Sequence, residues 1–79
     1  MYIVYVIQSV KHQGYYKGFT TNINARLKEH NSGKSKYTKS GIPWKLVYFE
    51  EFETRINARK REKYFKSAAG RKFLNSKLN

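Results

Sequence analysis

Apolar side chains run almost unbroken from Tyr2 to Ile7, and Tyr2-Ile3-Val4-Tyr5-Val6-Ile7 is rich in β-branched and aromatic residues. A run of that length and kind predicts a strand over residues 2–9 that is covered on both faces. Lys11-His12-Gln13-Gly14 breaks the pattern as a polar turn. Tyr15 to Thr20 then predicts a second strand, closing an antiparallel hairpin. If Ser9 pairs with Gly14 across a four-residue turn, Ile7 faces Tyr16 and Tyr5 faces Gly18. Tyr5 and Tyr16 become diagonal neighbours on one face, beside a position with no side chain. This depends on register, since a slip of one residue sends the two tyrosines to opposite faces.

Beyond the hairpin the period changes from two to three and four. Thr21 or Asn22 is placed to cap a helix that contains Ile23, Ala25 and Leu27 and stops near Asn31-Ser32-Gly33. Residues 34–43 read as a basic, flexible loop that also carries Tyr37, Gly41 and Pro43. Trp44 to Phe52 predicts a third strand, with Trp44, Leu46, Tyr48 and Phe52 on one face and Val47 and Phe49 on the other. Thr54 caps a second helix running to about Ser67, and a final short helix starting at Ala68 or Ala69 reaches Leu78. Only the first strand is apolar on both sides along its whole length. The expected fold is therefore α+β, a three-stranded antiparallel sheet of order 2-1-3 flanked by helices.

Composition narrows the partner. At 79 residues the chain is expected to form one domain, residues 1–79, burying only about 60% of the surface its unfolded form exposes. Cysteine is absent, which excludes a disulfide framework and any thiolate metal site and suits a reducing cytoplasm. The opening apolar run is too short to span a bilayer and lacks a signal-peptide cleavage pattern. Seventeen Lys and Arg residues against five acids give a net charge of +12, an excess that a fold does not need and that attracts polyanions. No long amphipathic helix offers a greasy face to a membrane. The expected partner is nucleic acid. From Arg55 onward nine basic residues stand against one acid, Glu62.

Helical spacing sharpens the interest in that acid. Ala58, Glu62, Phe65 and Ala69 make one stripe of the second helix, so Glu62 occupies a position where an apolar residue is expected. An unpaired buried carboxylate is costly unless a cation or hydrogen bonds compensate it, and a divalent metal is one such cation. In the first helix Ile23, Arg26, Leu27 and His30 share a side, which leaves Arg26 and His30 flanking the packed stripe.

These residues together resemble the GIY-YIG nuclease domain, especially its compact single-domain bacterial members. Ile3-Val4-Tyr5 stands where the GIY triplet is expected and Tyr16-Lys17-Gly18 where YIG is expected. Asn24 to Gly33 resembles the family's arginine-bearing helix, Pro43 to Tyr48 its third strand, and Arg61-Glu62-Lys63 the segment with its metal-binding glutamate. Ile3 replaces the glycine of the first triplet and Lys17 the isoleucine of the second; the tyrosines and second glycine are kept. Asn75 matches loosely the family's asparagine near the domain's end.

The resemblance implies hydrolysis of a DNA phosphodiester at one divalent metal, Mg²⁺ or Mn²⁺, with no organic cofactor. Glu62 would hold the metal. Arg26 would neutralise charge on the phosphorane, a task for a fixed, always-charged fork. Tyr5 or Tyr16 would position or deprotonate the attacking water, and His30 is a further candidate for proton transfer or phosphate contact. Lys17, Lys34, Lys36, Lys39, Arg59 and Lys63 would contact the nucleic acid.

Blander readings compete with each of these. Arg26 also suits a surface salt bridge with Glu29 or Glu53, and Glu62 suits an ordinary helix ion pair. His12 reads as solvated. Glu50, Glu51 and Glu53 are the only acidic cluster and read as charged edge residues rather than a two-metal site. The main rival function is a non-catalytic nucleic-acid-binding module in which exposed rings, Tyr15 and Phe19 among them, stack on bases. A binder gains nothing from Glu62 in its basic face.

Overall fold

A computed structural model of the protein describes residues 1–78. Its three strands are β1 (Tyr2–Ser9), β2 (Tyr15–Thr20) and β3 (Trp44–Phe52), in one antiparallel sheet of order β2-β1-β3. The helices are α1 (Ile23–Asn31), α2 (Arg55–Phe65) and α3 (Ala68–Leu78). Asn22 caps α1 by accepting the Ala25 N–H, and Thr54 caps α2 by accepting the Asn57 N–H.

The central strand separates two cores. Val4 and Val6 point to one face, where Ala58, Phe65 and Leu74 of α2 and α3 cover them. Tyr5 and Ile7 point to the other, where they pack with Trp44 and with Ile23 and Leu27 of α1. All four of these β1 side chains are buried, and each is worth about 1.5–3 kcal/mol of transfer free energy.

The third strand departs from the expected alternation. Val6 pairs with Tyr48 but Ile7 pairs with Leu46, so the ladder skips Val47 in a β-bulge. The extra residue exchanges faces along the strand. Trp44 and Leu46 join the α1 side, whereas Tyr48 and Phe52 join the α2–α3 side.

The bulge also decides the fate of Glu50, which faces α2 opposite Val4 instead of lying on a charged edge. Arg61 Nε donates to Glu50 Oε1 at 2.8 Å and Nη2 to Oε2 at 3.1 Å, and Tyr48 donates its hydroxyl to the same carboxylate. The guanidinium lies 4.7 Å from the Tyr64 ring centroid and 4.9 Å from those of Phe65 and Phe73. Burial alone would raise the Glu50 carboxyl, but the Arg61 and Tyr48 hydrogen bonds outweigh it and hold it below its ordinary value. Its contribution to stability is complete above the unfolded carboxyl's range and is lost as pH falls through the lower folded value.

The stripe expected from Ala58 to Ala69 ends at Phe65, because the chain turns at Lys66 and Ser67. Ser67 then caps α3, accepting the Gly70 N–H at 3.1 Å, and Ala69 is exposed. Gly70 permits the turn: a Cβ there would stand 1.8 Å from the Tyr64 carbonyl oxygen. Gly70→Ala is expected to cost about 3 kcal/mol, the top of the usual overpacking range, in urea denaturation. A loss under about 1 kcal/mol would show that α3 shifts freely on α2.

Candidate active site

The hairpin adopts the register that brings the two tyrosines together. Ser9 N–H donates to the Gly14 carbonyl at 2.9 Å, Tyr5 pairs with Gly18, and Ile7 pairs with Tyr16. A Cβ at Gly18 would lie 2.7 Å from the Tyr5 hydroxyl oxygen, so only glycine leaves that hydroxyl its place.

The Tyr5 hydroxyl is 2.9 Å from His30 Nε2, and His30 Nδ1 is 2.9 Å from Thr38 Oγ1. His30 is only 3% exposed, so it lies inside the packed stripe of α1 and not on its flank. The Tyr16 ring covers the imidazole at a centroid distance of 4.9 Å. Arg26 sits one turn before His30 and keeps 44% of its side chain in solvent, where Nη1 meets Glu29 Oε2 at 3.3 Å. That exposed pair is worth little and leaves the guanidinium available.

Thr38 had no signal in the sequence beyond lying in a polar segment, yet it fixes the site. Its hydroxyl meets His30 and its carbonyl accepts from Trp44 Nε1 at 2.7 Å. Gly41, in a short 3₁₀ turn over Lys39–Gly41, is anchored through its carbonyl by Ser9 Oγ at 2.6 Å. The segment read as a flexible loop is therefore tied down at several points. Asn31 adds another tie, its side-chain amide bonding both the N–H and the carbonyl of Trp44. His12 is not merely solvated either: its ring meets Trp44 edge-on at 5.6 Å and Nδ1 accepts the Gly14 N–H.

The electrostatics follow from burial. Burial pushes the Tyr5 phenol far above its ordinary pKa; Arg26 pulls it back in part, and the charges of Tyr16 and Glu62 add to the rise. Burial also lowers His30, the Arg26 charge lowers it further, and Glu29 opposes. The imidazole is therefore neutral at pH 7, with a single N–H to share between Tyr5 and Thr38.

Other expected site residues lie elsewhere. Glu62 belongs to α2, whose Ala58 and Phe65 pack against Val4 and Val6, and its charge is felt at the Tyr5 phenol. Its carboxylate is 16% exposed and accepts from Lys66 Nζ at 3.2 Å, the ordinary ion pair of the bland reading. Among the described residues no three His, Asp or Glu side chains converge. A divalent ion of the Mg²⁺ kind nevertheless fits a single carboxylate, since it keeps several waters and takes substrate phosphate oxygens.

Lys17 lies on the α3 side of β2, half-buried in a cavity of about 160 Å³ with Tyr15, Arg71, Leu74 and Asn75. Burial lowers its ammonium pKa, helped by the charges of Arg71 and Lys66. Arg59 and Lys63 stand on the solvent side of α2, whereas Lys34, Lys36 and Lys39 are exposed on the segment that carries Thr38. Tyr15 and Phe19 are part of the α2–α3 core, so they are not the open stacking rings that the binding-module reading requires.

His30 is expected to titrate below 6.5 in an NMR pH series, with stability complete above that pH and eroding as pH falls below it. Gly18→Ala should displace the Tyr5 hydroxyl, wet the imidazole and move its midpoint up towards the ordinary value. Identical titrations in the two proteins would show that the gap at Gly18 does not hold the hydroxyl.

Comparison with known proteins converges on one family. The model of the GIY-YIG catalytic domain matches residues 1–77. A UPF0213 protein of Listeria welshimeri is 51% identical over 53 residues, 66% of this chain and 59% of the relative, so the match spans less than two thirds of that protein. A UPF0213 protein of Clostridium perfringens is 45% identical over 67 residues, 84% of this chain and 71% of its own length. The solution NMR structure of a UPF0213 protein from Bacillus halodurans is similar with a TM-score of 0.57 at 34% identity, covering 96% of this chain and 84% of that one. With the family model matching nearly its whole length, the chain belongs to the GIY-YIG catalytic domain family.

Proposed function

We propose that the protein is a divalent-metal-dependent DNA endonuclease that hydrolyses phosphodiester bonds at one metal site and selects its substrate by structure. The observation that carries this reading is the buried Tyr5–His30–Thr38 chain, with Tyr16 and Arg26 at its mouth on one face of the sheet. A fold gains little from burying three polar groups in series; a proton-handling site needs them.

The reaction joins a water oxygen to phosphorus as a P–O ester bond breaks; the water's proton passes to the Tyr16 oxygen in its phenolate form, and the departing oxygen takes its proton from solvent. Tyr5 is a poor base, because burial makes its phenolate costly. It instead holds a proton at its hydroxyl and orients it against His30 Nε2. That leaves Tyr16, half-buried at the opening, to position and deprotonate the water. Arg26, with its exposed guanidinium free to exchange Glu29 for a phosphate, would neutralise charge on the phosphorane. Glu62 would release Lys66 to hold Mg²⁺ or Mn²⁺. The bound metal would supply polarisation of a phosphate oxygen. Lys34, Lys36 and Lys39 would steer the strand towards this face, with Lys17, Arg59 and Lys63 drawing its flanks around the β2 edge and α2. The cytoplasm is the compartment that this substrate implies.

The test is cleavage of labelled single-stranded, duplex, flap and branched DNA with Mg²⁺, Mn²⁺ or EDTA. Cleavage should need the metal and vanish in Glu62→Gln, whose DNA affinity should stay equal or rise. Tyr16→Phe should slow single-turnover cleavage by about 10²–10⁴-fold. Undiminished cleavage by Glu62→Gln would sink the metal assignment, and binding without cleavage under every metal would leave a binding module on a nuclease fold.

DNA affinity should also fall steeply with salt. Alanine at Lys34, Lys36 or Lys39 should each reduce the slope of log K against log salt by about 1 for a phosphate contact. A flat titration would remove the electrostatic footprint.

A further inference from the structure

Two large hydrophobic rings among the described residues are offered to solvent, Phe49 on β3 and, far more openly, Tyr37. Tyr37 is 83% exposed, the most open of the large hydrophobic side chains, and no aromatic ring packs against it among the described residues. Its neighbour Thr38 is fully buried and bonded to both His30 and Trp44. The main chain that carries the ring is therefore held, and the ring itself has two torsions left to lose on binding. Lys36 and Lys39 stand on either side of this Tyr37-Thr38 pair, with Lys34 just upstream, all three exposed.

The position matters as much as the exposure. Thr38 Oγ1 is 2.9 Å from His30 Nδ1, and His30 Nε2 is 2.9 Å from the Tyr5 hydroxyl. Tyr37 is thus one residue and two hydrogen bonds from the centre of the candidate site. An aromatic face among lysines is the chemistry that binds unpaired nucleic acid: the cations hold the phosphates and the ring stacks on a base. Duplex DNA keeps its bases stacked on one another and offers only its charge to such a surface.

We propose that Tyr37 is a stacking platform for an unpaired nucleobase next to the phosphate held at the Tyr5–His30 site, so that this site prefers strands with unpaired bases. The proposal rests on the reading of that site as a phosphodiester site and names what selects its substrate. The ligand class is a single-stranded DNA segment.

The test measures binding in EDTA, where no cleavage intervenes, to a single-stranded oligonucleotide carrying 2-aminopurine and to a duplex of the same length. Stacking should quench the 2-aminopurine fluorescence on wild type and on Tyr37→Phe, with affinities within about two-fold of each other. Tyr37→Ala should lose the quench and weaken single-strand binding by about 5- to 100-fold while leaving duplex affinity near wild type. The ring stands largely in solvent, so this variant is expected to keep the wild-type circular dichroism. An unchanged single-strand affinity, or an equal loss on both DNAs, would overturn the proposal. Failure of the nuclease reading appears separately, as absence of cleavage with metal, and does not alter the quench.

Discussion

The constraint on which everything else rests is that β1 is covered on both faces. A strand sends alternate side chains to opposite sides, so each neighbouring pair along β1 divides between two cores. Val4 and Val6 belong to the α2–α3 side; Tyr5 and Ile7 belong to the α1 side. In so short a chain neither core is large. The side with two helices and the Arg61–Glu50 hub is built as a support, while the side with α1 keeps a polar chain at its centre. The buried Tyr5–His30–Thr38 line and the Arg61–Glu50 hub thus lie on different faces of one strand.

Much of this was legible in the sequence. The strands, both helix caps and the 2-1-3 order follow from local period and cap chemistry, which act within a few residues. The hairpin register was readable because a four-residue turn leaves little choice, and with it came the pairing of Tyr5 with Gly18. What escaped depends on distant partners. The bulge at Val47 arises from how β3 meets β1, and nothing in Trp44 to Phe52 announces it. Thr38 looked like one more polar residue of a basic loop, because its partners His30 and Trp44 are supplied by other elements. Glu62 stood out as an acid in a packed stripe, and the ion pair it makes with Lys66 is the i,i+4 partnership that helical spacing allowed as its blander reading.

The net charge is also less uniform in role than a count suggests. Arg61 spends its charge internally, on Glu50 and three ring faces, and works as a strut. Lys17 is half-buried on the other side of β2, where burial first and then the charges of Arg71 and Lys66 lower its ammonium pKa. The lysines near Thr38 are exposed. A single basic excess thus divides into a structural cation, a half-buried one and an open attracting surface.

The line from Tyr5 through His30 to Thr38 has a property that belongs to no one of its members. A neutral imidazole carries one N–H, so the three groups can be oriented in only two ways: all donating inward from Tyr5, or all donating outward from Thr38. The Arg26 charge, which draws the Tyr5 phenol pKa down, favours the inward sense. Thr38 is held in the segment that bears the lysines, so one end of this hydrogen-bonded line belongs to the basic surface segment and the other to the central strand. The arrangement is a relay with two polarities.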